Sequence, residues 1–273
     1  GDASGTGFLD VRSRQWSQKM LQAVDSSRDL CECLPEVELE NVAIGGLLPR
    51  IANELGLAPD IPVSIGGGDN MMAAIGTGNV EPGVVTMSLG TSGTVYGYSA
   101  EVVVDPVGEF AAFCSSTGGW LPLICTMNCT VATELLRDLF KLDLSGFEAS
   151  LMAAKRGAGG VITVPYFNGE RTPNLPAARA CMLGMDSDNT RPENILRSAV
   201  EGVTYGLRHG LSRLQEEGVH AEKIVLSGGG ANSPTWRQIV ADVCNVAVLM
   251  YRQEEGAAFG AAMQALEIVS DSG

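Results

Sequence analysis

The chain has 273 residues, of which 45 % are hydrophobic and 18 % are charged. This composition supplies enough apolar material for a core and too little charge for a disordered chain. The 18 Lys and Arg residues against 32 Asp and Glu residues give a formal net charge of −14. Because nucleic-acid binding needs basic surface to neutralise phosphates, we expect no nucleic-acid partner. Small phosphates can still bind to backbone N–H groups, and the 34 glycines could form such loops.

The longest apolar runs are far shorter than the roughly 20 residues that a membrane-spanning helix needs, so we expect no membrane partner. The first residues lack the basic and apolar regions of a signal peptide. Seven cysteines without a Cys-x-x-Cys pair are typical of reduced core residues in a cytoplasmic protein. With only two histidines in addition, a zinc site is not expected.

Both ends of the chain look cut. The sequence does not begin with Met, and a short apolar segment at residues 8–11 directly follows a turn-like start. It stops at Ser-Asp-Ser-Gly, soon after an alanine-rich segment with helical character. We therefore expect a fragment that lacks an N-terminal half.

Hydrophobic periodicity and turn residues predict the following elements. In chain order, we expect helices at residues 18–24, 43–57, 71–76, 130–140 and 257–269, and strands at residues 61–65, 84–89, 94–98, 161–164 and 223–226. Thr190-Arg-Pro-Glu193 has the pattern of a capping box before a long helix that stops at Gly218. Ser233 and Pro234 have the pattern of a cap and first turn of another helix.

Two of these helices carry apolar stripes. Leu135, Leu136 and Leu139 share one apolar stripe. The long helix repeats leucine and valine every three to four residues from Leu196 to Leu214. Because strands alternate with helices through the second half, the pattern indicates an α/β layered domain.

The first of three glycine turns is Gly66-Gly67-Gly68, and Asp69 and Asn70 follow it at the head of a helix of small residues. Glycines let a ligand approach the backbone closely, and a carboxylate there could act as a general base on a hydroxyl group. Asp69 could equally cap the helix, a common role for aspartate at that position. Both interpretations stay open on the spacing alone.

The second turn is Gly90-Thr91-Ser92-Gly93, between two predicted strands. Its N–H groups and hydroxyls could form a nest for phosphate oxygens, although an ordinary tight hairpin would have the same pattern. No Gly-Lys-Ser/Thr sequence follows, so it is not a Walker A loop.

The third turn, Gly228-Gly229-Gly230, lies between a strand and the helix that begins near Ser233. That layout is expected where a nucleotide meets a helix N-terminus, although the dinucleotide fingerprint is absent. Each turn is a weak signal by itself. Together, in one acidic α/β chain with a candidate base, they favour nucleotide-dependent chemistry.

Longer motifs extend this interpretation. Residues 180–185 and 194–201 fit the C-terminal signature of a known family at every constrained position. The blocks at residues 2–6, 66–70, 88–93, 165–173 and 228–231 occur in the order found there. On these motifs the whole chain resembles the FGGY carbohydrate kinase family, and it is most similar to the members that act on D-xylulose.

The resemblance implies an α/β architecture of the actin-like ATPase (ribonuclease-H-like) fold, in which two domains enclose a cleft. One domain would be essentially present at residues 59–273, and residues 1–58 would be the remnant of a preceding domain. The implied reaction transfers the γ-phosphate of ATP, with Mg²⁺, to the 5-hydroxyl of D-xylulose, a small-molecule partner. A homodimer is one candidate assembly.

The resemblance also assigns roles to particular residues. Asp69 matches the catalytic base and contacts the sugar together with Asn70, whereas Gly90 and Thr91 match the loop that faces the γ-phosphate. Further nucleotide contacts fall on Thr130, Glu134, Gly229, Gly230 and Ser233. The phosphate loop of the first domain, with its Mg²⁺-associated aspartate, has no counterpart in this chain, so no metal ligand is assigned.

Two alternatives remain. One is a kinase of the same family for ribulose, glycerol, rhamnulose or gluconate, since much of the sugar pocket would lie in the absent half. The other is an actin-like nucleotide-binding switch without sugar chemistry. Asp69 and Asn70, together with the complete C-terminal signature, argue against the second alternative.

Overall fold

The computed structural model describes residues 1–39, 41–251 and 256–271 of the chain. Its strands are β1 (Leu9–Asp10), β2 (Gln15–Trp16), β3 (Ala43–Gly46), β4 (Pro62–Ser64), β5 (Gly83–Leu89), β6 (Gly93–Gly97), β7 (Ala111–Cys114), β8 (Trp120–Thr126), β9 (Ile162–Val164), β10 (Cys181–Leu183), β11 (Ala221–Ser227) and β12 (Ala247–Met250). Its α-helices are α1 (Gln18–Val24), α2 (Pro49–Leu55), α3 (Asp69–Gly76), α4 (Thr130–Leu139), α5 (Leu144–Ala153), α6 (Pro192–Glu216), α7 (Pro234–Cys244) and α8 (Gly256–Asp271).

A six-stranded sheet forms the centre, with the strand order β12-β11-β5-β6-β8-β7. The strands β5, β6, β8 and β7 pair antiparallel, whereas β11 and β12 extend the other side of β5 in parallel. Parallel neighbours need crossover connections, and the connection from β11 to β12 contains α7. This arrangement agrees with the α/β, ribonuclease-H-like architecture that the sequence predicts.

Strand β5 is the middle of the sheet and is buried on both faces. Val85, Met87 and Leu89 on one face have no exposed surface, and Val84 and Thr86 on the other are almost as inaccessible. A nearly continuous apolar run is the pattern of a strand that is covered on both sides. The end of β5 therefore supplies a rigid origin for the Gly90–Gly93 turn.

Helix α6 covers the sheet with the predicted apolar stripe, and Leu196, Leu207 and Leu214 on this stripe are fully buried. The capping-box prediction is wrong, because Arg191 is the N-cap and makes no side-chain capping bond. The Thr190 hydroxyl instead donates a 2.5 Å hydrogen bond to the carbonyl oxygen of Asp186. Pro192 at the first helical position is sufficient to set the start of the helix.

The predicted helix at residues 43–57 is in fact a strand followed by a shorter helix. Strand β3 pairs antiparallel with β4, and α2 begins only at Pro49. The Gly45-Gly46 pair has poor helix propensity, and proline is tolerated only in the first turn of a helix. Large apolar side chains in this region, including Ile44, Leu48 and Leu55, are exposed.

Helix α4 does not bury its leucines as a group. Leu136 is buried, but Leu135 and Leu139 are 49 % and 69 % exposed. The buried face consists of Ala132, Thr133 and Leu136. Backbone hydrogen bonds from the first turn of α4 to the Gly90–Gly93 turn set the rotation of the helix and override the leucine spacing.

The C-terminal end of α3 is held to the sheet by buried polar side chains. The amide of Asn79 donates hydrogen bonds to the Thr86 hydroxyl at 3.1 Å and to the Tyr96 carbonyl at 3.0 Å. The Thr77 hydroxyl lies 2.9 Å from that of Thr86. Because buried polar groups that are fully paired fix one geometry, this cluster orients α3 relative to β5 and β6.

The cysteines are all free, but they are not all core residues. Cys114, Cys129 and Cys244 are buried, whereas Cys33 and Cys181 are exposed. The expectation of seven core cysteines is therefore wrong in part. Within the described ranges, none of the helices combines the length and the apolar character needed to cross a membrane.

Candidate functional site

A cleft of about 460 Å³ lies between α4 and α5 on one side and the start of α7 on the other. Five of the residues that the family resemblance assigns to nucleotide contacts lie in its walls, namely Thr130, Glu134, Gly229, Gly230 and Ser233. They come from two segments of the chain that are far apart in sequence. The volume is in the range of sites that hold a small organic molecule.

The Gly90–Gly93 turn lies beside this cleft but does not form its walls. The Gly90 carbonyl accepts a 2.9 Å hydrogen bond from the backbone N–H of Thr130, and the Thr91 carbonyl accepts one from Cys129 at 3.1 Å. The first turn of α4 is thereby anchored to the turn. Thr91 itself is exposed, so its hydroxyl is available to a ligand.

Two glycines of the third turn allow close packing against β5 and α7. Gly228 has a φ of +81°, and a Cβ atom there would lie 2.8 Å from the carbonyl carbon of Leu89. A Cβ atom on Gly230 would lie 2.9 Å from the ring of Trp236. No other residue fits at either position without displacing its neighbours. Glycine at both positions therefore lets the turn lie directly against the end of β5.

Ser233 is the N-cap of α7, as the sequence predicts. Its hydroxyl accepts a 3.0 Å hydrogen bond from the backbone N–H of Trp236 and donates one to the Glu148 carboxylate at 2.5 Å. The same carboxylate accepts from the backbone N–H and the hydroxyl of Thr235, at 3.0 and 2.6 Å. One side chain of α5 thus connects three donors at the start of α7.

The ionised form of Glu148 is favoured by these bonds. Burial alone would raise the pKa of the Glu148 carboxyl. The hydrogen bonds from Ser233 and Thr235, with the nearby charge of Arg237, outweigh that effect and lower the pKa below its ordinary value. Glu148 is therefore an acceptor, not a donor, at neutral pH.

The indole of Trp236 forms the floor of the cleft. It is 1 % exposed, and its Nε1 donates a 3.0 Å hydrogen bond to the Thr204 hydroxyl in α6. The polar atom of this large apolar ring is therefore satisfied inside the core. Its position fixes the direction in which α7 leaves the cleft.

An ion pair lines the α4 wall. The Nη2 atom of Arg137 lies 2.6 Å from the Glu134 carboxylate, one helical turn away. The buried Nε of Arg137 has no hydrogen-bond partner among the described residues. Since a buried guanidinium N–H without a partner is costly, a ligand acceptor at this wall would be stabilising.

Asp69 and Asn70 lie outside the cleft walls, in the first turn of α3. Asp69 is exposed and is the first helical residue, and Gly68 is the N-cap. Its Oδ1 atom accepts a 2.8 Å hydrogen bond from the backbone N–H of Asn70. Asp69 thus accepts a hydrogen bond from one otherwise unpaired backbone N–H of the first turn, that of Asn70. It is not the N-cap residue, however, which was one of the two roles that the sequence left open.

Asp69 also acts electrostatically on the sheet. Burial raises the pKa of the Tyr96 hydroxyl, and the negative charge of Asp69 raises it further, against a hydrogen bond with Thr86. Asp69 is therefore within electrostatic range of β6, next to the strand that leads into the Gly90–Gly93 turn.

Sequence reasoning missed eight of the residues that line the cleft, namely Thr133, Arg137, Leu144, Phe147, Glu148, Asn232, Pro234 and Trp236. Most of them lie in α4, α5 or α7, helices that were or could have been predicted. Asp143 caps α5 by accepting a 2.7 Å hydrogen bond from the Gly146 N–H, and aspartate followed by this spacing is a helix-start signal. Trp236 lies one turn beyond the predicted Ser233 cap.

No cluster of three or more His, Cys, Asp or Glu side chains that could hold a metal ion occurs within residues 1–39, 41–251 and 256–271. A protein site of the all-carboxylate kind is thus not formed by this part of the chain. Mg²⁺ commonly binds through one or two carboxylates plus substrate phosphates and waters.

Two sequence models of one protein family match this chain. The sequence model of the C-terminal domain of the FGGY family of carbohydrate kinases matches residues 85–267, and that of its N-terminal domain matches residues 1–76. The xylulose kinase of Haemophilus influenzae is 43 % identical over 266 residues, which are 97 % of this chain and 54 % of that protein. The xylulose kinase of Escherichia coli strain K12 is 37 % identical over 268 residues, or 96 % and 54 %.

The fold is also shared. The crystal structure of xylulose kinase from Bifidobacterium adolescentis matches with a TM-score of 0.84 at 32 % identity, over 98 % of this chain and 55 % of that chain. The actin-like ATPase fold predicted from the motifs is thereby confirmed. The chain spans about half the length of the curated relatives it matches. From the matched family models and these relatives, the chain belongs to the FGGY family of carbohydrate kinases.

Proposed function

We propose that the protein transfers the γ-phosphate of ATP to D-xylulose and gives D-xylulose 5-phosphate. The observation that carries this proposal is the cleft in which Thr130, Glu134, Gly229, Gly230 and Ser233 meet beside the Gly90–Gly93 turn. Relatives that carry the name xylulose kinase support the choice of sugar. The seven free cysteines are compatible with the cytoplasm, where thiols stay reduced.

In this proposal the nucleoside occupies the cleft between α4 and α7. Its phosphates extend toward the Gly90–Gly93 turn, where Thr91 is exposed. Backbone N–H groups and hydroxyls of such turns hold phosphate oxygens without basic side chains, which suits a chain with a net charge of −14. The exposed apolar side chain of Leu144, which lines the cleft, would contact the base.

Asp69 is the proposed general base. A sugar hydroxyl is a weak nucleophile, and a carboxylate within hydrogen-bond reach can accept its proton as the new P–O bond forms. The exposed position of Asp69 at the first turn of α3 leaves its second oxygen free for this role. Asn70 next to it would donate or accept hydrogen bonds with the sugar hydroxyls.

Mg²⁺ would enter with the nucleotide. When bound, it would neutralise charge on the phosphates and so assist transfer.

The division of the chain at residue 58 is also a proposal. It assigns residues 59–273 to the C-terminal domain and residues 1–58 to the preceding one. Support comes from α3, whose end is tied to β5 and β6 through Asn79 and Thr86. Hydrogen bonds thus connect the end of the helix that carries Asp69 to the sheet beside the nucleotide cleft.

The test is ADP release by the natural protein that contains this sequence. The assay compares D-xylulose with D-ribulose, L-ribulose, L-rhamnulose, gluconate, glycerol and no sugar. We expect selective stimulation by D-xylulose. Stimulation by another sugar would assign a different family activity, and ATP hydrolysis that is indifferent to every sugar would favour the nucleotide-binding switch.

A further inference from the structure

Helix α5 forms one wall of the cleft, and the carboxylate of its residue Glu148 contacts the opposite wall. Glu148 binds Ser233 and Thr235 at the start of α7. These are the residues through which the chain leaves the Gly228–Gly230 turn. The contact therefore joins two walls that approach the cleft from separate parts of the sequence.

The hydrogen bonds that Glu148 accepts have different structural roles. The bond from the Thr235 backbone N–H satisfies one of the free donors in the first turn of α7, where a negative charge is also favoured by the helix dipole. The bond from the Ser233 hydroxyl fixes its rotation, so that its lone pair points to the N–H of Trp236. Glu148, a residue of α5, thus contributes to the N-terminal cap of α7.

The turn before Ser233 is fixed by the same arrangement. Gly230 packs directly on the Trp236 ring, and Arg237 donates a 2.9 Å hydrogen bond to the carbonyl of Ala231. The segment from Gly229 to Arg237 is consequently one packed unit. A displacement of the start of α7 would move the two glycines in the cleft wall with it.

We propose that Glu148 is a positioning residue for the nucleotide: it sets the separation of the α5 and α7 walls and thereby the affinity for ATP and ADP. The proposal rests on the function proposed above. Glu148 acts through Ser233 and Thr235 and not on the reacting atoms, so its loss should weaken nucleotide binding without slowing phosphate transfer at saturation.

The first experiment measures the affinity of the natural protein that contains this sequence for ADP with Mg²⁺, by isothermal titration calorimetry. We expect Glu148→Ala to raise the dissociation constant about tenfold, the effect typical of losing hydrogen bonds to a charged group. Glu148→Gln should recover most of the affinity, because its carbonyl can accept from Thr235 and its amide can donate to Ser233.

The matched control is Asp143→Ala. Asp143 caps the same helix, α5, but it is exposed and lies away from the α7 contact. Its loss should lower the midpoint of thermal unfolding without changing the dissociation constant for ADP. If Asp143→Ala weakens binding as much as Glu148→Ala, the effect comes from general loosening of α5 and the positioning role is wrong.

A second variant keeps the proposal testable if Glu148→Ala does not fold. Thr235→Val removes one donor and leaves the carboxylate in place. We expect about threefold weaker ADP binding, because one of the three hydrogen bonds to the Glu148 carboxylate is lost. Unchanged ADP affinity in Thr235→Val would overturn the proposal.

Kinetic measurements on the natural protein distinguish a positioning role of Glu148 from a loss of folded protein. We expect Glu148→Ala to raise the KM for ATP about tenfold, with little change in kcat at saturating ATP or in the KM for the sugar. A lower kcat at an unchanged KM for ATP would indicate loss of folded protein instead. If the unaltered natural protein binds no ADP, the proposed function itself fails; if it binds ADP and its Glu148→Ala variant binds equally well, only the role of Glu148 fails.

Discussion

Gly76 of α3 and Gly260 of α8 lie against each other where the two helices cross. A Cβ atom on Gly260 would lie 2.8 Å from the backbone nitrogen of Gly76 and would overlap the carbonyl oxygen of Met72. A Cβ atom on Gly76 would lie 3.0 Å from the backbone nitrogen of Gly260. The helix that carries Asp69 is thus held by backbone contact on one side and by the Asn79 cluster at its end.

Gly260→Ala should destabilise the protein by about 1–3 kcal/mol or more, because the added methyl group meets backbone atoms that cannot rotate away. The free energy of unfolding from urea titration measures this effect. Gly206→Ala in α6 is the control, since a Cβ atom there has nothing within 4 Å. It should stabilise the helix by about 0.5–1 kcal/mol. Equal stabilities of the two variants would contradict the tight crossing.

Asp69→Asn should abolish most sugar phosphorylation and spare nucleotide binding. The side-chain oxygen can still accept from the Asn70 N–H, so the first turn of α3 is kept, but the group can no longer take a proton. We expect kcat to fall about 10²- to 10⁴-fold, the usual contribution of a general base. The dissociation constant for ADP, measured in parallel, should not change.

If Asp69 only stabilised the first turn, the result would differ. Removal of its side chain in Asp69→Ala would then cost about 1 kcal/mol of stability while kcat stayed largely intact. Retained turnover in either variant would remove Asp69 from the mechanism.

Asp105 should make stability depend on pH in the acidic range. Burial would raise the pKa of its carboxyl, but the backbone N–H groups of Val107, Glu109 and Phe110, with the Arg213 guanidinium, lower the pKa below its ordinary value. The folded pKa is thus below the unfolded one of about 3.9. Asp105 therefore stabilises the fold above that pH, and its contribution disappears as pH falls through the folded pKa.

Comparison of Asp105→Asn with the unaltered protein tests this pH dependence of the stability. The difference in the free energy of unfolding should be largest near neutral pH and should shrink below about pH 4. A difference that stays constant down to pH 2 would mean that the Asp105 charge does not stabilise the fold.

The elements that sequence reasoning predicted correctly are those whose local signals agree with their tertiary surroundings. Helix α6 has a continuous apolar stripe and is buried along it, and Ser233 caps α7 as its type and position indicate. The strand at residues 84–89 was predicted because an apolar run leads into a glycine turn. In each case the local sequence pattern and the tertiary surroundings favour the same structure.

The predictions are wrong where contacts with another segment of the chain determine the local structure. Leu135 and Leu139 fit a helical stripe, yet hydrogen bonds to the Gly90–Gly93 turn rotate α4 so that Ala132 and Thr133 face the core. Pairing with β4 turned the start of the helix predicted at residues 43–57 into a strand. Glu148 was missed because its partners, Ser233 and Thr235, lie in a different helix.

The walls of the cleft come from two separate parts of the chain, residues 130–148 and 229–236. They meet only when β11 has paired with β5. Among the strand pairs of the central sheet, this pair joins the segments that are farthest apart in the sequence. Such pairings form late, because closing a long loop costs entropy before any contact is gained. A nucleotide that binds here would select chains in which the sheet is complete, and it would shift the folding equilibrium toward them in proportion to its concentration.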